Sequence, residues 1–429
     1  MPHVRLNVFQ KLVLQWEKLH PYNGAQVVHV EGLPPEDLAE RWSRTLASLG
    51  LGSLNLSAGA YGFDRRGADG IESHAKGTPL ETVLTAHLNR KYSDSETPLR
   101  LIVVPRGDRT YFLVVAYRHF VADSVSIRLV LESLFDVICD PTAPPPDPVE
   151  WSAGGYWKLF GPRTSGGSAG WSLPAAAVAA ARQTWRMKRV RRVESRSADF
   201  RVEFTSHRIP DGVVDRALAF ARGRQLRLND VLLAAIALAL REHGPLGETS
   251  KRTDFALGSI VDLRPHARQA DRPRLQRAFN LYLGFSTAFL TPEQMSDLAT
   301  AARALGEQHR RLRESNSGSA SMLRMGAGLL AHRLFRSPAT VAEWYRKRVP
   351  LSVGISNINL RPHWPQRHFP SPLLDYFRVS PTGPLMPLVF SATTLGPRLH
   401  LGLTRRADII APEMAEKLVG HITRTLTRL

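Results

Sequence analysis

The sequence predicts a mixed α/β protein built in two halves, and three observations carry that prediction. The chain has 429 residues, more than one hydrophobic core usually organises. Segments of strand character alternate with segments of helical period on both sides of a break. The break itself is Asp140-Pro141-Thr142-Ala143-Pro144-Pro145-Pro146-Asp147-Pro148, and proline this dense continues neither helix nor sheet. Residues 1–140 are read as an N-terminal lobe, 141–175 as a Pro/Gly-rich linker and 176–429 as a C-terminal lobe.

In the first half, Val8, Leu12, Trp16 and Leu19 fall at helical spacing. Residues 25–31 alternate like a strand. Leu33-Pro34-Pro35-Glu36 opens a helix through Leu38, Trp42 and Leu46, since proline suits the first helical turn. Glycines at 50, 52, 59 and 62 mark a looped stretch with weak strands. Residues 79–89 read as a short helix with Thr78 as N-cap and Pro79 at its first position. Residues 101–105 and 110–118 form a hairpin around Arg106-Gly107-Asp108-Arg109. Its second strand runs into Tyr117-Arg118-His119-Phe120-Val121-Ala122-Asp123-Ser124. Ile127, Leu131, Leu134 and Ile138 then repeat at helical spacing.

In the second half, residues 171–196 combine a helix-forming alanine run with many arginines. This stretch could dock on a membrane surface or an acidic protein, but a solvated basic helix or loop is the default reading. A strand over 200–204 and a helix over 210–222 follow. Asn229 reads as the N-cap of an apolar, buried helix beginning at Val231. Strands are expected over 255–263, 281–290 and 351–357, and a polar helix over 292–313. Residues 321–335 mix Met, Leu, Gly and Arg, as a helix packed in the ordinary way or lining a greasy cavity would. A hairpin over 388–403 turns at Gly396-Pro397, and a helix over 413–429 ends the sequence.

Composition narrows the function classes. There is one cysteine, Cys139, so no intrachain disulfide and no cysteine zinc site can form. The N-terminus lacks the apolar core of a signal peptide, and no apolar run reaches membrane-spanning length. A cytoplasmic protein is expected. The net charge of +19 and pI near 10.7 favour anionic partners, although scattered arginines also read as a diffuse solvated surface. No nucleic-acid recognition module is visible, so nucleic-acid binding would rest on charge alone. There is no phosphate loop and no nucleophile elbow, because Ile358 ends Gly354-Ile355-Ser356-Asn357-Ile358 where that motif needs glycine. His363 and His368 have no metal-site spacing and read as surface-loop residues.

The strand–turn–helix junction at 117–124 is the chemically suggestive stretch. A strand end fixes the rotamer of an imidazole, so His119 could be catalytic. On this stretch alone the default reading is a satisfied, partly buried histidine, with Asp123 or Ser124 capping the helix.

Four motifs in order resemble those of one superfamily of CoA-dependent acyltransferases. It comprises the condensation domains of nonribosomal peptide synthesis, chloramphenicol acetyltransferase, and the wax-ester and polyketide-associated acyltransferases. The family turn is His-His-x-x-x-Asp-Gly, and Arg118-His119-Phe120-Val121-Ala122-Asp123-Ser124 matches it. Leu228-Asn229-Asp230-Val231, Val261-Asp262-Leu263-Arg264-Pro265 and Val353-Gly354-Ile355-Ser356-Asn357 are similar to the family's second-half motifs. The resemblance implies two chloramphenicol-acetyltransferase-like lobes forming a V around a central tunnel, with His119 as general base. It also implies that Asp123 points away from the tunnel and pairs with an arginine, for which Arg264 is the candidate. Ser356 and Asn357, together with Ser124, would line the tunnel or help hold an oxyanion. No metal and no tightly bound cofactor are implied. The donor would be acyl-CoA or a phosphopantetheine-linked acyl group. The partners would be a small-molecule acceptor and an acidic acyl or peptidyl carrier protein, with peripheral membrane contact left open. The sequence departs from the motif at Arg118 and Ser124, which raises a second reading, a non-catalytic module that binds a carrier protein or partner enzyme.

Overall fold

The structure, a computed structural model, describes residues 3–57, 59–140, 142, 144–150, 155–161, 173–193, 199–314, 317–335, 337–360 and 374–429. Much of the expected linker, together with His363 and His368, lies outside the described residues.

Two sheets organise the chain. The first has five strands in the order Asp375–Val379, Asn23–Glu31, Thr110–Arg118, Leu99–Pro105 and Glu72–Ser73. The second has six, in the order Leu283–Leu290, Phe255–Asp262, Val353–Asn359, Leu388–Leu395, Arg398–Arg406 and Val202–Ile209. Pairing is antiparallel except where Glu72–Ser73 joins Leu99–Pro105 and where Val353–Asn359 meets its two neighbours. The first sheet thus takes its edge strand, Asp375–Val379, from the second half of the chain.

The long apolar run before His119 has a direct explanation. Side chains on a strand alternate between faces. Tyr111, Leu113, Val115 and Tyr117 enter one core, with the helices Leu38–Ser48 and Ser124–Cys139. Val114 and Ala116 enter another, with Leu80, Leu84, Phe204 and Phe377. A strand buried on both faces reads as continuously apolar. In the second lobe the helix Leu228–His243 is buried nearly all round, against the helices Leu298–Glu314 and Pro412–Thr427.

Two expected caps fall elsewhere. The helix Leu80–Leu88 has Pro79 at its N-cap, and the Thr78 hydroxyl donates to Ala75 instead. The buried helix starts at Leu228, and Asp230 accepts from the Arg227 amide at 2.9 Å. Asn229 is thereby free to reach Asn357 across the lobe, at 3.4 Å. The polar stretch from 292 splits into a short 3-10 turn, Glu293–Met295, and the helix Leu298–Glu314. The basic stretch contains the helix Leu173–Met187.

The lobes meet along the crossing strand Asp375–Val379. It packs on Gly402 of the second sheet, where an added Cβ would lie 2.9 Å from the Arg378 carbonyl oxygen and 2.9 Å from the Phe204 ring. Neither neighbour is a flexible chain end, so the contact has no easy relief. Gly402→Ala is expected to cost about 1–3 kcal/mol of stability, seen as a lower urea midpoint. An unchanged midpoint would mean the strands separate freely.

Candidate functional site

The turn that follows the strand Thr110–Arg118 is held at several backbone groups. The His119 amide donates to Tyr22 at 3.0 Å, and the Phe120 carbonyl accepts from Gln10 at 3.0 Å. The Asp123 amide donates to Asn280 at 3.2 Å.

Asp123 then caps the helix Ser124–Cys139. One carboxylate oxygen accepts from the Val125 and Ser126 amides, both at 3.1 Å. The other accepts from the Tyr282 amide at 2.9 Å. The same carboxylate receives Arg264 as a fork, at 2.8 and 3.1 Å. Both side chains are fully buried. Arg264 spends its remaining donors on the Leu275 carbonyl, Asp262 and the Ser126 hydroxyl. Burial alone would push the Asp123 carboxyl up, but the Arg264 guanidinium and the amide donors hold it below its ordinary value.

His119 sits 9% exposed, between Tyr22 and Tyr117 at ring-centroid distances of 5.7 and 5.3 Å. Its Nδ1 is buried and has no well-formed hydrogen bond, while the ring lines a cavity of about 610 Å³. Nε2 is therefore the nitrogen available to a reactant. Burial pushes the imidazole down to about 4, against a small opposing influence from its own carbonyl and from Asp123. The ring is neutral at physiological pH.

One arm of the cavity is apolar, built by Phe9, Leu12 and Trp16, by Met325 from the helix Ser317–Leu334, and by Trp344 and Tyr345 from the helix Pro338–Arg348. The Trp16 indole donates to the Tyr345 hydroxyl at 2.8 Å. Ordinary packing is the default reading of 321–335, yet Leu323, Met325, Ala327 and Gly328 line the cavity.

The other arm is polar. Ser124, Ser356 and Asn357 all line the cavity with His119. The Ser356 hydroxyl accepts from Arg378 at 2.9 Å, so its own proton is free to point elsewhere. The Asn357 Oδ1 is buried without a hydrogen-bond partner. Asp123 stands at the cavity's edge with its carboxylate turned to Arg264, and Arg264 does not line the cavity.

The two departures from the family turn have separate outcomes. Arg118 lies away from the cavity. It forks onto Glu17 at 3.0 and 2.8 Å, reaches Asp94 at 2.8 Å and covers the Phe120 ring. Ser124 is the first residue of the helix, and its φ is not in the left-handed region. A serine there costs no backbone strain. Its carbonyl and hydroxyl accept from the Gln26 amide, at 2.8 and 3.2 Å.

Sequence reasoning missed Gln26, Arg128 and Arg378, and with them the helix Pro338–Arg348 and the strand Asp375–Val379. A lone arginine in a five-residue strand carries no local signal. Among the described residues, one grouping of metal-capable side chains occurs, Glu242, His243 and His421, on the surface far from these elements in sequence. No helix among the described residues is long and apolar enough to cross a membrane.

No protein-family model matches the sequence, and no curated protein matches it either. Solved structures do match over nearly the whole chain. The cyclization–docking bidomain of the EpoB nonribosomal peptide synthetase from Sorangium cellulosum superposes with a TM-score of 0.70 at 13% identity, covering 99% of this chain and 84% of that one. Trichothecene 15-O-acetyltransferase from Fusarium sporotrichioides gives 0.71 at 12%, covering 99% and 94%. Polyketide synthase associated protein 5 from Mycobacterium tuberculosis gives 0.62 at 18%, covering 99% and 97%. The chain has the two-lobed fold of condensation domains and acetyltransferases, as the sequence resemblance implies.

Removing the carboxylate from the pinned turn strands Arg264 in the interior. Asp123→Ala is expected to destabilise the fold by about 3–5 kcal/mol, read by chemical denaturation. The pH dependence has a definite sign. Because the folded Asp123 carboxyl is lowered, its contribution is full above its unfolded value and fades as pH falls through the folded one. Stability of the wild type should therefore drop more steeply below pH 4 than that of Asp123→Ala. Parallel acid limbs would remove the pair from that role.

Proposed function

We propose that the protein is an acyltransferase, forming an ester or amide from an acyl thioester and an alcohol or amine. The observation that carries this reading is a neutral, immobilised imidazole, His119, on the wall of a largely apolar cavity with one nitrogen sealed in protein. Nε2 removes the proton of the acceptor hydroxyl or amine as that group attacks the thioester carbonyl carbon. The carbonyl π electrons move onto oxygen, and the Ser356 hydroxyl, polarised by Arg378, donates to this oxyanion. Collapse of the intermediate breaks the carbon–sulfur bond, and the imidazolium returns its proton to the departing thiolate.

The thioester is a substrate, either acyl-CoA or a phosphopantetheine-linked acyl group. The net positive charge suits CoA phosphates or the surface of an acidic carrier protein. The apolar arm suits an acyl chain or an apolar acceptor. Natural-product or lipid biosynthesis is the setting this chemistry fits. The binding-only reading drew on Arg118 and Ser124. Arg118 is neutralised by Glu17 and Asp94 outside the cavity, and Ser124 fits its turn without strain, so neither favours it.

His119→Ala is expected to lower thioester consumption, followed by thiol release, by about 10²–10⁴-fold. Turnover within twofold of the wild type would refute the base. The wild-type pH profile provides a second reading. A base must be neutral to act, and burial disfavours the imidazolium here. The acid limb of kcat/KM should therefore fall near pH 4 rather than at histidine's ordinary value of about 6.5. A limb at the ordinary value would mean that His119 is solvated during catalysis.

A further inference from the structure

The polar arm of the cavity holds two arginines, of which Arg378 polarises Ser356 and Arg128 has no part in the chemistry at His119. Arg378 comes from the crossing strand and is 3% exposed. Its guanidinium donates to the Ser356 hydroxyl and carbonyl at 2.9 and 2.8 Å, to the Ala392 carbonyl at 2.8 Å and to the Thr393 hydroxyl at 3.3 Å. Every one of these acceptors is neutral, and one N–H is left over. Arg128 enters from the second turn of the helix Ser124–Cys139. Its Nη1 is buried with no hydrogen-bond partner. Both residues line the cavity.

Among the described residues, no carboxylate is paired with either of them. The titratable and charged groups acting on Arg378 are Tyr376, Tyr117 and Arg128 itself. The carboxylates that border the cavity, Asp123 and Asp262, are both engaged by Arg264. Arg324, also on the wall, adds a further positive charge, with its donors on Gln183 and the Phe285 carbonyl. A buried cation without a counter-ion is costly, and a second one beside it adds repulsion. Burial and then Arg128 bring Arg378 down to about 10, where it is still charged at neutral pH. Such an arrangement is stable when an anion supplies the missing charge.

We infer that Arg128 and Arg378 form a carboxylate-binding site, and that a small-molecule substrate of this cavity carries a carboxylate there. A carboxylate has two oxygens to accept from the Arg128 guanidinium and from the remaining Arg378 N–H, and both donors are charged. Tyr117 contacts the His119 ring and feels the Arg378 charge, so the site and the imidazole belong to one part of the cavity. Under the acyl-transfer reading, on which the word substrate rests, one reactant is an acid whose reacting group lies a short distance from its carboxylate.

The test is binding without turnover. Octanoate, octanamide and octyl phosphate are titrated calorimetrically into wild type, Arg128→Gln, Arg378→Gln and His119→Ala. The wild type is expected to bind octanoate at least about tenfold more tightly than octanamide. Arg128→Gln and Arg378→Gln should each remove most of that preference, and His119→Ala should keep it. Arg128 is only partly buried, so Arg128→Gln decides the matter if Arg378→Gln fails to fold. Equal affinity for acid and amide, or a preference that survives Arg128→Gln, overturns the site. Tighter binding of octyl phosphate than octanoate overturns the carboxylate in favour of a phosphate. Thioester turnover plays no part in the measurement, so the anion site and the His119 chemistry can fail independently.

Discussion

The fork between Asp123 and Arg264 is the constraint on which the site depends. One carboxylate caps a helix of the first lobe, anchors the Tyr282 amide of the second half and neutralises a fully buried guanidinium. Isolated in the interior, either charge would be expensive. Together, and with their remaining donors and acceptors satisfied, they fix where the turn ends. His119 lies four residues earlier in that turn, and its backbone is tied at Tyr22 while the next carbonyl is tied at Gln10. The imidazole is thus positioned by backbone ties and by the Asp123–Arg264 pair. This division of labour leaves the histidine free to be neutral, because the adjacent negative charge is spent on Arg264 and does little to raise the imidazole's proton affinity.

The second constraint is the crossing strand. Asp375–Val379 completes the first sheet although it comes from the second half. Arg378 then staples it to Ser356, Ala392 and Thr393 of the second sheet. A cavity between two sheets needs such a tie, since its own walls lose packing contacts across the gap. The same arginine polarises Ser356, so the tie and the polar arm of the cavity are one object.

What was legible in the sequence follows from locality. Strand Thr110–Arg118 and its helix were visible because burial on both faces, followed by helical period, leaves an unambiguous apolar pattern. The Asp123–Arg264 pair was reachable only through the resemblance, because the residues lie 141 apart and neither spacing nor composition joins them. Asn229 looked like a cap and proved to be a partner of Asn357 within the second lobe, because Asp230 took the capping role first. The strand carrying Arg378 was invisible for a physical reason. Asp375 and Arg378 break up Tyr376, Phe377 and Val379 in a five-residue strand, so the apolar run is too short and interrupted to read as one. Their burial comes from a neighbour hundreds of residues away in the sequence.

Three buried arginines show how context assigns the same side chain different work. Arg118 is paired with two carboxylates and serves the frame. Arg264 shares its charge with Asp123 and Asp262, and that pair seals the turn. Arg378 meets only neutral oxygens and a second arginine, and it faces the cavity. Framework charges are compensated within the fold, because an uncompensated one would lower stability for no return. A charge left uncompensated on a cavity wall is the expected trace of a ligand that brings its own. By that reasoning the pairing of Arg118 and Arg264 is as informative as the lack of pairing at Arg378, since it shows that this fold neutralises its buried arginines where nothing else will.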